Sequence, residues 1–151
     1  MSKPVDPTTQ LRLIAQRSKQ ADCTIATIAT LTWSTYEDVL ATAGSICGPH
    51  ANQDGLTWQQ MRKVCTVLGH TTRLQRWGTF DPELAVGILH VYRGKRANNT
   101  RESHVVLLWH GHVIDGGDEL WESLDDFLRA YEWKAGSLLT LCSDPTPASS
   151  R

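Results

Sequence analysis

Residues 104–109, HVVLLW, put apolar side chains on both faces of any extended segment they form, and such a strand is stable only inside a sheet covered on each side. His110-Gly111 follows at once and is too short for a helical crossover, so the chain must fold back through residues 112–115, HVID, as an antiparallel hairpin. The remainder of the chain therefore has to supply one layer against each face of that hairpin.

Helical signals dominate the first half. The run from Cys23 to Trp33, CTIATIATLTW, is apolar or small on nearly every face and suits a helix buried all round. Ser34 and Glu37 have capping-box spacing ahead of a short helix over residues 36–42, with Gly44 as its stop. Thr57 and Gln60 form a second box, and Met61, Val64, Cys65 and Leu68 mark one face of a helix ending at Gly69. The period then changes. Residues 72–77 and 86–92 read as strands separated by the Asp81-Pro82 turn, 94–103 as a polar loop, and 136–142 as a closing strand. An amphipathic helix opening at Ser123 and carrying Phe127, Leu128 and Tyr131 interrupts the strands. Helices first and an antiparallel sheet after them make the fold class α+β rather than a doubly wound parallel sheet.

One domain of 151 residues is expected, spanning residues 11–142, with tails at 1–10 and 143–151. A net charge of -1 offers no field for nucleic acid or an anionic membrane. With no apolar run near the roughly 20 residues of a spanning helix and no signal-like N-terminus, the expectation is a cytoplasmic protein, or one packaged into a virion.

Four cysteines, Cys23, Cys47, Cys65 and Cys142, lack any CxxC pairing, which argues against a disulfide scaffold and a ribbon-type zinc site. Cys47, His50, Cys65 and His70 can be counted as four zinc ligands, but Cys65 belongs to an apolar helix face, so no metal is expected there. His110 and His112 flank a turn, lack a third ligand and read as solvated. Arg93, Lys95, Arg96 and Arg101 read as a solvated basic loop.

Cys23 is different, because it stands behind Asp22, a good N-cap residue, at the start of the buried helix, where the positive helix end favours a thiolate. A nucleophilic thiol also needs a base, and the base an orienting group. His104 opens the central strand. If His110-Gly111 is a two-residue loop, Leu108 faces Val113 and Val106 faces Asp115, which puts Asp115 diagonal to His104 on one face. A one-residue slip would send Asp115 to the other face.

These residues also carry a resemblance. Ala21-Asp22-Cys23 leading into an apolar helix, Tyr36-Glu37-Asp38-Val39, the stretch from Ser103-His104 to Val113-Ile114-Asp115, and Leu124-Asp125-Asp126-Phe127-Leu128 together resemble the bacteriocin-processing, double-glycine-leader branch of the papain-like cysteine peptidases. The resemblance spans residues 16–141 and implies a papain-like fold, with N-terminal helices on an antiparallel sheet. It implies Cys23 as nucleophile, His104 as base and Asp115 as orienting residue, with Gln16 completing an oxyanion hole beside the Cys23 backbone N–H. Gln16 stands seven positions before Cys23, one more than the family spacing, and Thr24 replaces the glycine that usually follows the cysteine. The expected activity is a thiol hydrolase, a cysteine peptidase or amidase acting on a peptide or protein substrate without cofactor or metal. The alternative is a catalytically lapsed module of the same fold, assembled into a larger complex such as a virion or secretion apparatus.

Overall fold

The computed structural model describes residues 11, 13–14, 23–49, 56–94, 102–116 and 119–142. Helices α1 (Cys23–Thr32), α2 (Tyr36–Cys47) and α3 (Trp58–Val67) come first. Strands β1 (Thr72–Gln75), β2 (Val86–Arg93), β3 (Glu102–Trp109), β4 (His112–Asp115) and β5 (Glu119–Trp121) follow, then α4 (Leu124–Ala130) and β6 (Lys134–Leu141). The strands form one six-stranded sheet in the order β1-β6-β2-β3-β4-β5 with every neighbouring pair antiparallel. This is an α+β fold with N-terminal helices packed on an antiparallel sheet. No helix among the described residues is long and apolar enough to cross a membrane.

The two-faced apolarity of β3 is used as its composition requires. Val105, Leu107 and Trp109 join Ile25, Ile28 and Val64 in the core beneath the helices. Val106 and Leu108 pack on the other face with Val113, Leu124 and Phe127. Helix α1 is buried along residues 24–32, although four of these are threonines. A buried hydroxyl needs a partner, and three find one a turn back: Thr27, Thr30 and Thr32 donate to the carbonyls of Cys23, Ala26 and Ile28 at 2.6, 3.0 and 2.7 Å.

Local signals hold where a cap or turn decides the structure. Thr57 and Gln60 form the full reciprocal box of α3, and Ser123 caps α4. His110 and Gly111 both have positive φ, 46° and 83°, as a two-residue hairpin of this twist requires. Elsewhere the boundaries move. Thr35, not Ser34, caps α2 by accepting from Asp38 N, and α2 runs through Gly44 to Cys47, because Gly48, at φ 98°, supplies the stop. Residues 76–77 fall outside β1, β6 begins at Lys134, and the short edge strand β5 had no sequence signal strong enough to announce it. Strand β6 does not close the sheet but enters it between β1 and β2.

Gly87 makes that entry possible. A Cβ on it would press into the Leu139 carbonyl oxygen of β6 and the Leu138 side chain. Gly87→Ala is expected to destabilise the fold by about 1–3 kcal/mol, read as a lower urea midpoint with unchanged m-value.

Candidate active site

Cys23 is the first residue of α1, and first-turn N–H groups of a helix lack intrahelical partners. It is half-buried against the helix-side core. His104 lies two residues into β3, with Val91 of β2 as its cross-strand partner. Leu108 pairs with Val113 and Leu107 with Ile114, so continuing the register by one residue puts Asp115 opposite Val106 and diagonal to His104.

The diagonal closes into a bond: His104 Nε2 and Asp115 Oδ1 are 2.6 Å apart, with side chains 24% and 20% exposed. Cys23 adjoins the same imidazole, and its sulfur adds to the hydrogen bonding and charge that act on the ring. The ring thus joins two groups that strand alternation would keep apart, Asp115 on the face of Val113 and Cys23 with the helix-side core.

Burial of the His104 ring disfavours its charge, but the hydrogen bonds to Asp115 and Cys23, with the negative charge of both, outweigh it and raise the pKa to about 10. At neutral pH the ring is therefore an imidazolium, donating from Nε2 to the carboxylate. Among the described residues no other cysteine is shown beside an imidazole. Cys65 is fully buried, and burial pushes its thiol up to about 12. Cys47 is half-buried and Cys142 is exposed.

Of the four proposed site residues, Cys23, His104 and Asp115 are brought together, whereas Gln16, like Asp22, the expected N-cap, lies outside the described residues. Thr24 is buried with no hydrogen-bond partner for its hydroxyl among the described residues. His50 is also outside them, and no group of three or more potential metal ligands gathers among the described residues. Two expectations are corrected. His110 and His112 are half-buried rather than solvated: His110 packs edge-on to Trp109 at 4.9 Å, and the Nε2 of His112 is shielded from water. Arg93 is not part of a solvated loop but the last residue of β2, paired with Glu102 at 3.0 Å, while Lys95, Arg96 and Arg101 are outside the described residues.

Trp133 stacks against the His104 ring at 6.1 Å between centroids and 21° between planes, and the Arg93 guanidinium carbon lies 4.3 Å from the Trp133 ring centre. Neither contact was readable from sequence, since Trp133 stands on the turn between α4 and β6, far along the chain from His104 and Arg93. Two wide grooves among the described residues are elsewhere. One, of about 790 Å³, runs past Trp58, Arg62 and Leu74, and the other, of about 570 Å³, past Phe80, Trp109 and His110. Neither contains a thiol, imidazole and carboxylate in hydrogen-bonded sequence, so the candidate site is the one at Cys23. No protein-family model matches the chain, and no curated protein matches it.

Proposed function

We propose that the protein is a thiol hydrolase of papain-like fold, a cysteine peptidase or amidase that cleaves a peptide-type bond through an acyl-enzyme on Cys23. The observation that carries this reading is the unbroken chain from the Cys23 thiol through the His104 imidazole to the Asp115 carboxylate. In this reaction Cys23 acts as its thiolate, with the His104 imidazolium beside it. Thiolate sulfur attacks the carbonyl carbon, a C–S bond forms, and charge collects on oxygen beside the N–H groups that open α1. The C–N bond then breaks as the His104 imidazolium gives its proton to the departing nitrogen. Water attacks the thioester, neutral His104 takes its proton, and the C–S bond breaks to restore thiolate and imidazolium. Asp115 keeps the ring oriented and compensates its charge throughout.

Labelling with iodoacetamide at pH 7, read by mass spectrometry, tests the site. Cys23 is expected to react on the order of tenfold or more faster than Cys142, although Cys142 is the exposed thiol, with Cys65 slowest of all. Acylation of Cys23 by a peptidyl electrophile, and cleavage of a peptide library, then test turnover. The competing reading is a binding or structural module in a larger assembly, favoured by a groove past Trp58, Arg62 and Leu74 whose lining includes none of Cys23, His104 and Asp115. Equal, slow labelling of Cys23 and Cys142 selects it.

A further inference from the structure

Of three contacts made by Arg93, two fall on the segment that covers His104 and one on the strand that carries it. Its Nη1 donates to the Tyr131 carbonyl at 2.6 Å, its Nη2 to Glu102 Oε2 at 3.0 Å, and its guanidinium lies over the Trp133 ring at 4.3 Å. Between Tyr131 and Trp133 stands Glu132 at φ 56°, a left-handed conformation that a residue with a side chain keeps only when its surroundings hold it. Trp133 N donates to Leu128 O at 2.8 Å, which ties the other end of this turn to α4. Arg93 and Glu102 are direct cross-strand partners, and Val91 and His104 are the next pair on that face. The clamp and the histidine are therefore built on the same two strands.

We infer that Arg93 is a positioning residue for His104: it pins the turn between α4 and β6 so that Trp133 lies against the imidazole and screens the His104–Asp115 hydrogen bond from water. The inference rests on reading Cys23, His104 and Asp115 as a thiol hydrolase site. An exposed Arg–Glu pair by itself does little. The carbonyl bond and the ring contact give this one its role, because only a planar fork can make both at once and a lysine cannot. Excluding water strengthens the charged hydrogen bond that fixes the ring, and a ring fixed by Asp115 presents its other nitrogen to sulfur.

The test is a double-mutant cycle of Arg93→Met and Trp133→Ala, with Arg93→Lys beside it, read in two ways. First, the labelling advantage of Cys23 over Cys142 is expected to fall about tenfold in each single variant, with kcat falling and KM little changed on any peptide that is cleaved. Arg93→Lys falls with them, although it keeps the charge. The double variant is no worse than either single one, because both remove the same cover. Second, exchange of the His104 Nε2 proton with water, followed by NMR, is expected to speed up about tenfold in all three. This second measurement involves no thiol chemistry. A wild-type Cys23 without advantage over Cys142 would sink the hydrolase reading and leave the proton exchange to decide the role of Arg93. Unchanged exchange in Arg93→Met, wild-type behaviour of Arg93→Lys, or fully additive effects in the double variant would overturn the inference. Where Arg93→Met does not fold, Trp133→Ala read by the same exchange carries the test.

Discussion

His104→Ala is expected to bring Cys23 labelling down to the rate of Cys142 and to lower peptide hydrolysis by about 10²–10⁴-fold. Two functions leave with one ring. The imidazolium, held charged up to about pH 10 against the opposing effect of burial by its interactions with Asp115 and Cys23, is the positive partner that the proposed thiolate requires. In the proposed reaction it is also the acid that protonates the leaving nitrogen. Alanine supplies neither, and it strands the Asp115 carboxylate, only 20% exposed, without its hydrogen bond, at a cost of about 1–3 kcal/mol. His104→Gln separates these effects. Its amide N–H₂ can still donate to Asp115 but cannot carry the proton, so it should be closer to wild type in urea stability and as slow as alanine in labelling. A His104→Gln protein that labels Cys23 at the wild-type rate would show that the thiol owes nothing to the imidazole.

The central hairpin was legible because its determinants are local. The apolar run of β3, the two positive-φ turn positions at His110 and Gly111, and a period of two then fix the register that sets Asp115 diagonal to His104. Both correctly placed caps, Thr57 and Ser123, are likewise decided by residues three apart. The failures are tertiary. Ser34 and Thr35 offer equivalent hydroxyls, and the choice between them follows from how α1 ends, at Trp33 with φ 58° and Ser34 N donating to Ala29 O. Gly44 does not stop α2, because a glycine tolerates helix as well as turn and the neighbouring Ala43 is fully buried. Arg93 looked like one of four loop cations, yet its contacts with Tyr131 and Trp133 join residues nearly forty positions apart, which no local pattern encodes. The approach of Cys23 to His104 came from the chemistry a thiol needs and not from any periodicity, and it is the part of the site that most required a structure.

Asp115→Ala should destabilise the protein in a pH-dependent way whose sign follows from His104. The imidazole's ordinary pKa of 6.5 is raised to about 10 in the folded protein, so its protonation favours folding. That stabilisation is fully present below pH 6.5 and is lost as pH rises through about 10. Removing Asp115 takes away the larger of the hydrogen bonds that raise the pKa and leaves the one to Cys23. The variant should therefore be less stable than wild type by roughly 2–3 kcal/mol near pH 6, an order-of-magnitude figure discounted for the partial exposure of both groups. The gap should narrow steadily above pH 6.5 and approach the value of a lost neutral hydrogen bond, about 1 kcal/mol, beyond pH 10. The same loss moves the alkaline limit of His104 protonation downward, so the Cys23 labelling advantage should disappear at lower pH in the variant than in wild type. Urea titrations of the two proteins at pH 6, 8 and 10.5, with labelling at each, measure both effects. A difference that stays constant, or grows with pH, would mean that His104 is not held charged by Asp115.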